Sequence, residues 1–384
     1  MNTDRGLFPI DLTENQIESE KSFVKFVEED ILPIADKIDR EDDMPESVFE
    51  RMTELGLWGA AIPKTYGGME LDNMTLGLLA RALGRGNASI LSLLIVHSMV
   101  GSVLSRWGTN EQKQEWLPKL AKGDAYASLA LTEPQGGSDA SNLKLVVEKE
   151  GDSFRVNGKK TWISGAQHSD VAIVVGSLEG KPTAFLIDLN EVEGLSRKKI
   201  QGMVGFRGAM LAELDFENCL IPKSSLIGRV GFGFSIVAGY ALDLGRLWVS
   251  WGCCGISESC LKMSVDYSAE RMSFGNKLLD HQLIQKMIAD MMADVTSSLL
   301  VCYHTSKARD ENGTAVDESA MSKYIASTAS RRVSDNALQI FGAAGCSESS
   351  HIQRYWRDAK IMELIEGTTQ IQQILLGRHA KRYF

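Results

Sequence analysis

The sequence predicts a mostly α-helical protein interrupted by a central β-domain, and three observations carry that prediction. All eight prolines lie at or before Pro222, so residues 223–384 lack the residue that breaks helix interiors. Short β-rich segments crowd a middle stretch of about 124–228. On both sides of it, apolar residues recur at spacings of three and four, the mark of a buried helical face. The chain divides accordingly into a helical part at 1–123, a β-domain at 124–228 and a helical bundle at 229–384. There is no βαβ alternation and no internal repeat.

Taken in order, Thr13 and Gln16 have the spacing of a capping box. Ile17, Val24, Val27, Ile31, Ile34 and Ile38 then mark a helical stripe. Further helical patterns run over about 46–55, 73–85, 88–106 and 110–121, with Gly56, Gly67, Gly68 and Gly123 between them. The insert contains "NLKLVVEK", "SFRVNGKKTWIS", "VAIVVGS", "TAFLIDL" and "AELDFENCLIP". Asn157-Gly158 in the second of these reads as a hairpin turn. Beyond the insert, Ile284, Ile288, Met291, Val295 and Leu299 fall on one helical face.

Composition removes several function classes. A net charge of −9 argues against a sequence-independent grip on nucleic-acid phosphates, while leaving room for a local basic pocket. The six cysteines (219, 253, 254, 260, 302 and 346) form no CxxC pair and no metal-like spacing with His, and read as reduced core thiols of a cytoplasmic protein. The opening "MNTDRGLFPIDLTENQ" lacks a basic-then-apolar signal pattern. The apolar run from Ile90 to Val103 is broken by His97 and serines and is too short to span a bilayer, so no membrane partner is expected.

One glycine cluster is a decoy. "GFGFSIVAG" (Gly231, Gly233, Gly239) starts like a dinucleotide fingerprint, yet its sixth position is Ile236 and no βαβ unit surrounds it. It reads as a flexible entry to the next helix. The informative segments lie apart: "LTEPQGGSD" (131–139), "KTWISGAQHSD" (160–170), "LDLGR" (242–246), "RMSFGNKLLDHQ" (271–282), "QIFGAAG" (339–345) and "RDAKIMELIEGTTQ" (357–370). In the second, Trp162 and Ser164 are two apart and are expected on one strand face, a ring beside a hydroxyl that suits a flat aromatic cofactor.

In joint order and spacing these segments resemble the acyl-CoA dehydrogenase family along essentially the whole chain. The resemblance implies an N-terminal helical domain, a middle β-domain and a C-terminal four-helix bundle, with FAD held without a Rossmann fold. By that likeness Leu131, Thr132, Trp162 and Ser164 would line the isoalloxazine, with Ser138 near the ring and the acyl chain. Arg271, Phe274, Gln282, Gln339 and Gly342 would hold the diphosphate and adenosine of a neighbouring subunit's flavin. Thr368 and Gln370 would contact the bound flavin. A cofactor shared in this way implies a homodimer or homotetramer.

The same resemblance gives "ELIEGTTQ" its meaning: Glu366 would be the base that removes the α-proton of an acyl thioester, while the β-hydride passes to flavin. Gly367 would let backbone and side chain approach the substrate, and burial should raise the Glu366 pKa. Some relatives carry the base directly before the arginine of the "LDLGR" segment; here that position is Gly245, which has no side chain. Flavin monooxygenases of the same fold lack the later carboxylate and fit less well. Asp243 and Arg246 match positions near the pantetheine arm, which CoA and acyl carrier protein share. "GRLWVSWGCCGISESC" (245–260) looks like the corresponding helix of acyl-carrier-protein dehydrogenases of hydroxy-, methoxy- or aminomalonyl extender-unit pathways. That makes a carrier-bound short acyl group the expected substrate. A short-chain acyl-CoA dehydrogenase of fatty-acid or amino-acid breakdown is the alternative, and a flavin-free binding or assembly relative a further one. The electron acceptor would be an electron-transferring flavoprotein or oxygen.

Overall fold

The computed structural model describes residues 10–140 and 142–384; most of the N-terminal stretch read for a signal pattern lies outside them. Six helices come first: α1 (Glu14–Phe26), α2 (Ala35–Glu41), α3 (Glu46–Glu54), α4 (Asn73–Gly86), α5 (Ala88–Trp107) and α6 (Asn110–Lys122). The Thr13/Gln16 capping box forms. The stripe from Ile17 to Ile38 is not one helix. Pro33 withholds an amide hydrogen, and the chain passes through a π-turn at Val27–Ile31 and a 3-10 turn at Leu32–Ile34 before α2. Helix α5 is long and apolar enough by composition to cross a membrane, and the span expected to be too short is therefore longer than read. It is instead the central core helix, with Ile90, Leu91, Val100, Val103 and Leu104 almost fully buried.

The middle of the chain forms one sheet in the order β6-β7-β3-β2-β4-β5-β8, with β1 pairing parallel to β4. Its strands are β1 (Ala127–Ala130), β2 (Val146–Glu150), β3 (Ser153–Ile163), β4 (Val171–Leu178), β5 (Lys181–Asp188), β6 (Leu195–Lys199), β7 (Ala212–Pro222) and β8 (Leu226–Ile227). Asn157-Gly158 is not the expected hairpin turn. It lies within β3 at a register shift against β7, and the β2–β3 turn is at Gly151-Asp152. The physical reason is space: a Cβ at Gly158 would sit 2.7 Å from Leu145 Cα, so the glycine serves a close crossing.

The proline-free tract gives α7 (Gly239–Glu270), a small hairpin of β9 (Met272–Ser273) and β10 (Asn276–Lys277), α8 (Gln282–Asn312), α9 (Val316–Phe341), α10 (His351–Leu364) and α11 (Thr369–His379). Helices α7 to α10 pack together as a bundle, and α7 also packs on α4 and α5. The "GFGFSIVAG" segment enters α7 through a π-helical turn at Gly233–Ala238. Ile288, Met291 and Val295 are buried as their spacing predicts. Five cysteines are buried thiols, but Cys346 is exposed because it follows the end of α9 on a surface turn, so it is no core residue.

Candidate active site

Glu366 sits in the turn between α10 and α11. It takes the left-handed conformation at φ +53°, followed by Gly367 at φ +91°. A glutamate is rarely found there, so surrounding contacts must hold it. Three side chains from three helices do so through the turn's carbonyls. Arg246 Nε on α7 donates to Glu366 O at 3.2 Å. Gln372 on α11 donates to Glu366 O at 3.0 Å and Gly367 O at 2.9 Å. Lys323 Nζ on α9 donates to Glu363 O at 2.8 Å and Gly367 O at 2.9 Å. Thr368 caps α11, its hydroxyl accepting from Ile371 N at 3.4 Å.

The fixed backbone delivers the carboxyl into the interior. Oε2 of Glu366 is buried and has no hydrogen-bond partner. A Cβ at Gly245 would lie 2.7 Å from both Cδ and Oε2 of Glu366 and 3.0 Å from Met99 Sδ. Gly245 thus leaves the volume that the carboxyl occupies. Burial pushes the Glu366 pKa up to about 7 even though Arg246 and Lys323 pull it down. A carboxyl in that state is a base poised for work near neutral pH.

The β-domain supplies a platform. Leu131 and Thr132 follow β1, and Thr161 N donates to Thr132 O at 2.9 Å, which draws this segment to the end of β3. Glu133 accepts from Lys144 N at 2.6 Å, Leu145 N at 3.1 Å and Lys160 Nζ at 2.7 Å, pinning the base of the glycine loop whose exposed turn carries Ser138. The alternation expected of Trp162 and Ser164 fails. Trp162 has φ +58°, the pairing shifts between Lys160 and Ile163, and Ser164 lies past the strand end. Trp162 is 53% exposed, an indole without cover, and Ser164 Oγ accepts from Ser92 Oγ of α5 at 3.1 Å. An uncovered indole on the strand that meets half-buried Leu131 and Thr132 fits a flat aromatic cofactor, and the orphaned buried carboxyl of Glu366 fits an acid–base role.

One expected group lies apart from Glu366. Arg271, Phe274 and Gln282 are exposed at and after the far end of α7, and Gln339 and Gly342 are exposed at the end of α9. The Tyr267 and Phe341 rings, stacked at 4.2 Å, hold those two helix ends together. From Gly245 to Glu270 the helix rises about 38 Å at 1.5 Å per residue, so this group and Glu366 cannot grip one end of a ligand together. Gln370 is exposed in the first turn of α11. Asp243 is buried and ion-paired with Arg309, leaving its Oδ1 without a partner. Trp251 and Cys254, part of the carrier-protein signal, are core: Trp251 Nε1 donates to Ser306 Oγ at 2.9 Å, and Cys254 Sγ lies 3.7 Å from Cys302 Sγ. Sequence reasoning missed Lys323, Gln372 and the Glu133–Lys160 pair, because single charged or amide residues within helices and strands read as solvated.

Comparison with known proteins agrees with this arrangement along the chain. Models of the acyl-CoA dehydrogenase N-terminal, middle and C-terminal domains match residues 13–124, 128–219 and 231–381. The mitochondrial short-chain specific acyl-CoA dehydrogenase of Homo sapiens is 35% identical over 366 residues, covering 94% of this chain and 88% of its own. Two solved structures are similar throughout. The prolyl acyl carrier protein oxidase AnaB has a TM-score of 0.92 at 27% identity, over 96% of this chain and 100% of its own. FkbI, described for biosynthesis of a methoxymalonyl extender unit, has a TM-score of 0.86 at 26% identity, over 95% and 100%. With the full three-domain match and the buried acid between α10 and α11, the chain belongs to the acyl-CoA dehydrogenase family of oxidoreductases.

Proposed function

We propose that this protein is an FAD-dependent dehydrogenase of a short acyl thioester, with Glu366 as the base. The observation that carries the reading is the buried, unpartnered Oε2 of Glu366 lying against the side-chain-free face of Gly245. Leu131, Thr132, Trp162, Ser164, Thr368 and Gln370 would hold the flavin ring region, with Ser138 at its edge. Arg271, Phe274, Gln282, Gln339 and Gly342 would serve the distal part of a neighbouring subunit's cofactor, in a homodimer or homotetramer. When bound, the flavin supplies the acceptor for the β-hydride.

The chain's own residues account for the proton. As a carboxylate, Glu366 takes the substrate α-proton; the electron pair of that C–H bond moves toward the thioester carbonyl oxygen. A positioned base of this kind contributes roughly 10²–10⁴-fold. The buried surroundings strip water from the carboxylate and so raise its basicity. Gly367 brings the turn's backbone close to the acyl group, and Asp243 and Arg246 mark the path of the pantetheine arm. Replacement of Glu366 by Gln should leave a folded yellow protein that substrate no longer bleaches; bleaching at the parent rate would exclude Glu366 as the base.

We further propose that the acyl group is carried by an acyl carrier protein, as in extender-unit biosynthesis. Likeness to AnaB and FkbI over at least 95% of the chain supports this reading. The 35% identity to a short-chain acyl-CoA dehydrogenase favours free acyl-CoA as the second reading. Intact-protein mass spectrometry separates them. Loss of two hydrogens from an acylated carrier protein is expected, and turnover of butyryl-CoA without any of the carrier-bound acyl group would reverse the choice. Electrons would leave to an electron-transferring flavoprotein or to oxygen.

A further inference from the structure

A lysine with no solvent exposure is costly unless several acceptors meet its ammonium. Lys323 has none of its surface exposed, and among the described residues no carboxylate lies within ion-pair distance of it. What it meets are two backbone carbonyls, Glu363 O in the last turn of α10 and Gly367 O at the entry to α11. They stand on either side of Glu366. We propose that Lys323 is a positioning residue for the proton transfer: its ammonium bridges the two sides of the turn and holds the Glu366 carboxyl against Gly245. The proposal rests on Glu366 being the base.

Two arguments point the same way. The first is conformational. Glu366 and Gly367 are successive left-handed residues, a backbone that contributes no repeating hydrogen bonds of its own. Gln372 and Arg246 hold the Glu366 carbonyl, but of these three side chains Lys323 alone also reaches back to α10. Removing it frees one side of the turn. The second is electrostatic. The charged groups acting on Glu366 are Arg246 from α7 and Lys323 from α9, and both oppose the effect of burial. Lys323 itself senses Cys253 and Arg246 of α7, Glu363 of α10 and Glu366, and burial brings its pKa down to about 8. Arg246 already donates to the Glu366 carbonyl and is fixed there. Loss of the Lys323 charge therefore leaves the carboxyl harder to ionise.

Lys323→Met removes the charge and both hydrogen bonds at nearly the same length; Lys323→Gln keeps a donor without charge. Each is purified as flavin-loaded protein beside the parent and Glu366→Gln, with S-propionyl-pantetheine as probe because it carries the arm common to both carriers. The expected result is a fall in turnover on the order of 10- to 100-fold, the scale of a roughly 1 Å misplacement of a reacting group. The acid limb of kcat/KM should move to higher pH, and backbone hydrogen exchange across 363–372 should accelerate. A purely structural lysine would lower thermal stability and leave the acid limb in place. If either flavin-loaded variant keeps the parent's acid limb and exchange rate while Glu366→Gln is inactive, the Lys323 proposal alone is overturned. Turnover retained in Glu366→Gln would overturn the base assignment, and the role of Lys323 with it.

Discussion

The burial that would suit Glu366 to act as a base also ties the protein's stability to pH. The folded pKa of Glu366, near 7, lies above the ordinary value of 4.5, so the native state binds the proton more tightly than the unfolded chain. Stability linked to this group is therefore complete below pH 4.5 and is lost as pH rises toward 7. Glu366→Gln should in consequence be more stable than the parent at pH 8, by about 1–3 kcal/mol, with the two converging near pH 4. Urea unfolding at the two pH values checks it, and a parent as stable as the variant at pH 8 would contradict the burial argument. The same ionisation should give the parent's kcat/KM an acid limb near pH 7. That an acid stood here was legible from "ELIEGTTQ". Its two left-handed residues and its lysine bridge were not, since neither backbone handedness nor a partner 43 positions away (366 minus 323) shows in a local pattern.

Helix α7 joins the packing of the bundle to the proposed site. Over 32 residues it carries Gly245 and Arg246 at the site and a run of small residues against α4. A Cβ at Gly84 of α4 would lie 2.2 Å from Gly252 O, and one at Gly255 2.0 Å from Arg81 O, so the two backbones nearly touch. Glu258 reinforces the crossing by binding both Arg81 and Arg85. Gly84→Ala must push these helices apart and should cost about 1–3 kcal/mol. Gly377 of α11 offers the contrast: it has nothing within 4 Å and a helical φ. Gly377→Ala should be neutral or stabilising by up to roughly 1 kcal/mol. Denaturant midpoints of the two variants test the pair. The carrier-protein signal in "GRLWVSWGCCGISESC" belongs to this packing. Its Trp251 and Cys254 fill the crossing of α7 with α4 and α8, so those two residues report how the helices fit, while Gly245 and Arg246 at its start face Glu366.

At the scale of the whole molecule, one end of the bundle exposes large apolar side chains. Phe274 is 94% exposed, with Leu283 at 73% and Met272 at 55% beside it. Apolar residues so clustered and so open mark an interaction surface. If they cover a neighbouring subunit's flavin, Phe274→Asp should both lower the mass seen by sedimentation and reduce the flavin retained after gel filtration. A variant with unchanged mass and colour would remove the shared-cofactor reading. The sequence by itself determined the order of helices, strands and helices, the bundle's long helices and the family motifs, because proline placement and apolar periodicity are local consequences of backbone geometry. Tertiary structure alone decided which motifs act together. Gly245 and Glu366 are 121 positions apart (366 minus 245) yet lie against each other, whereas Gly245 and Arg271, the residue that follows the end of the same helix, stand tens of ångströms apart, about 1.5 Å for each helical residue between them. Proximity of that kind comes from how helices cross, and crossing depends on side-chain volumes summed over many residues, which no short stretch of sequence displays.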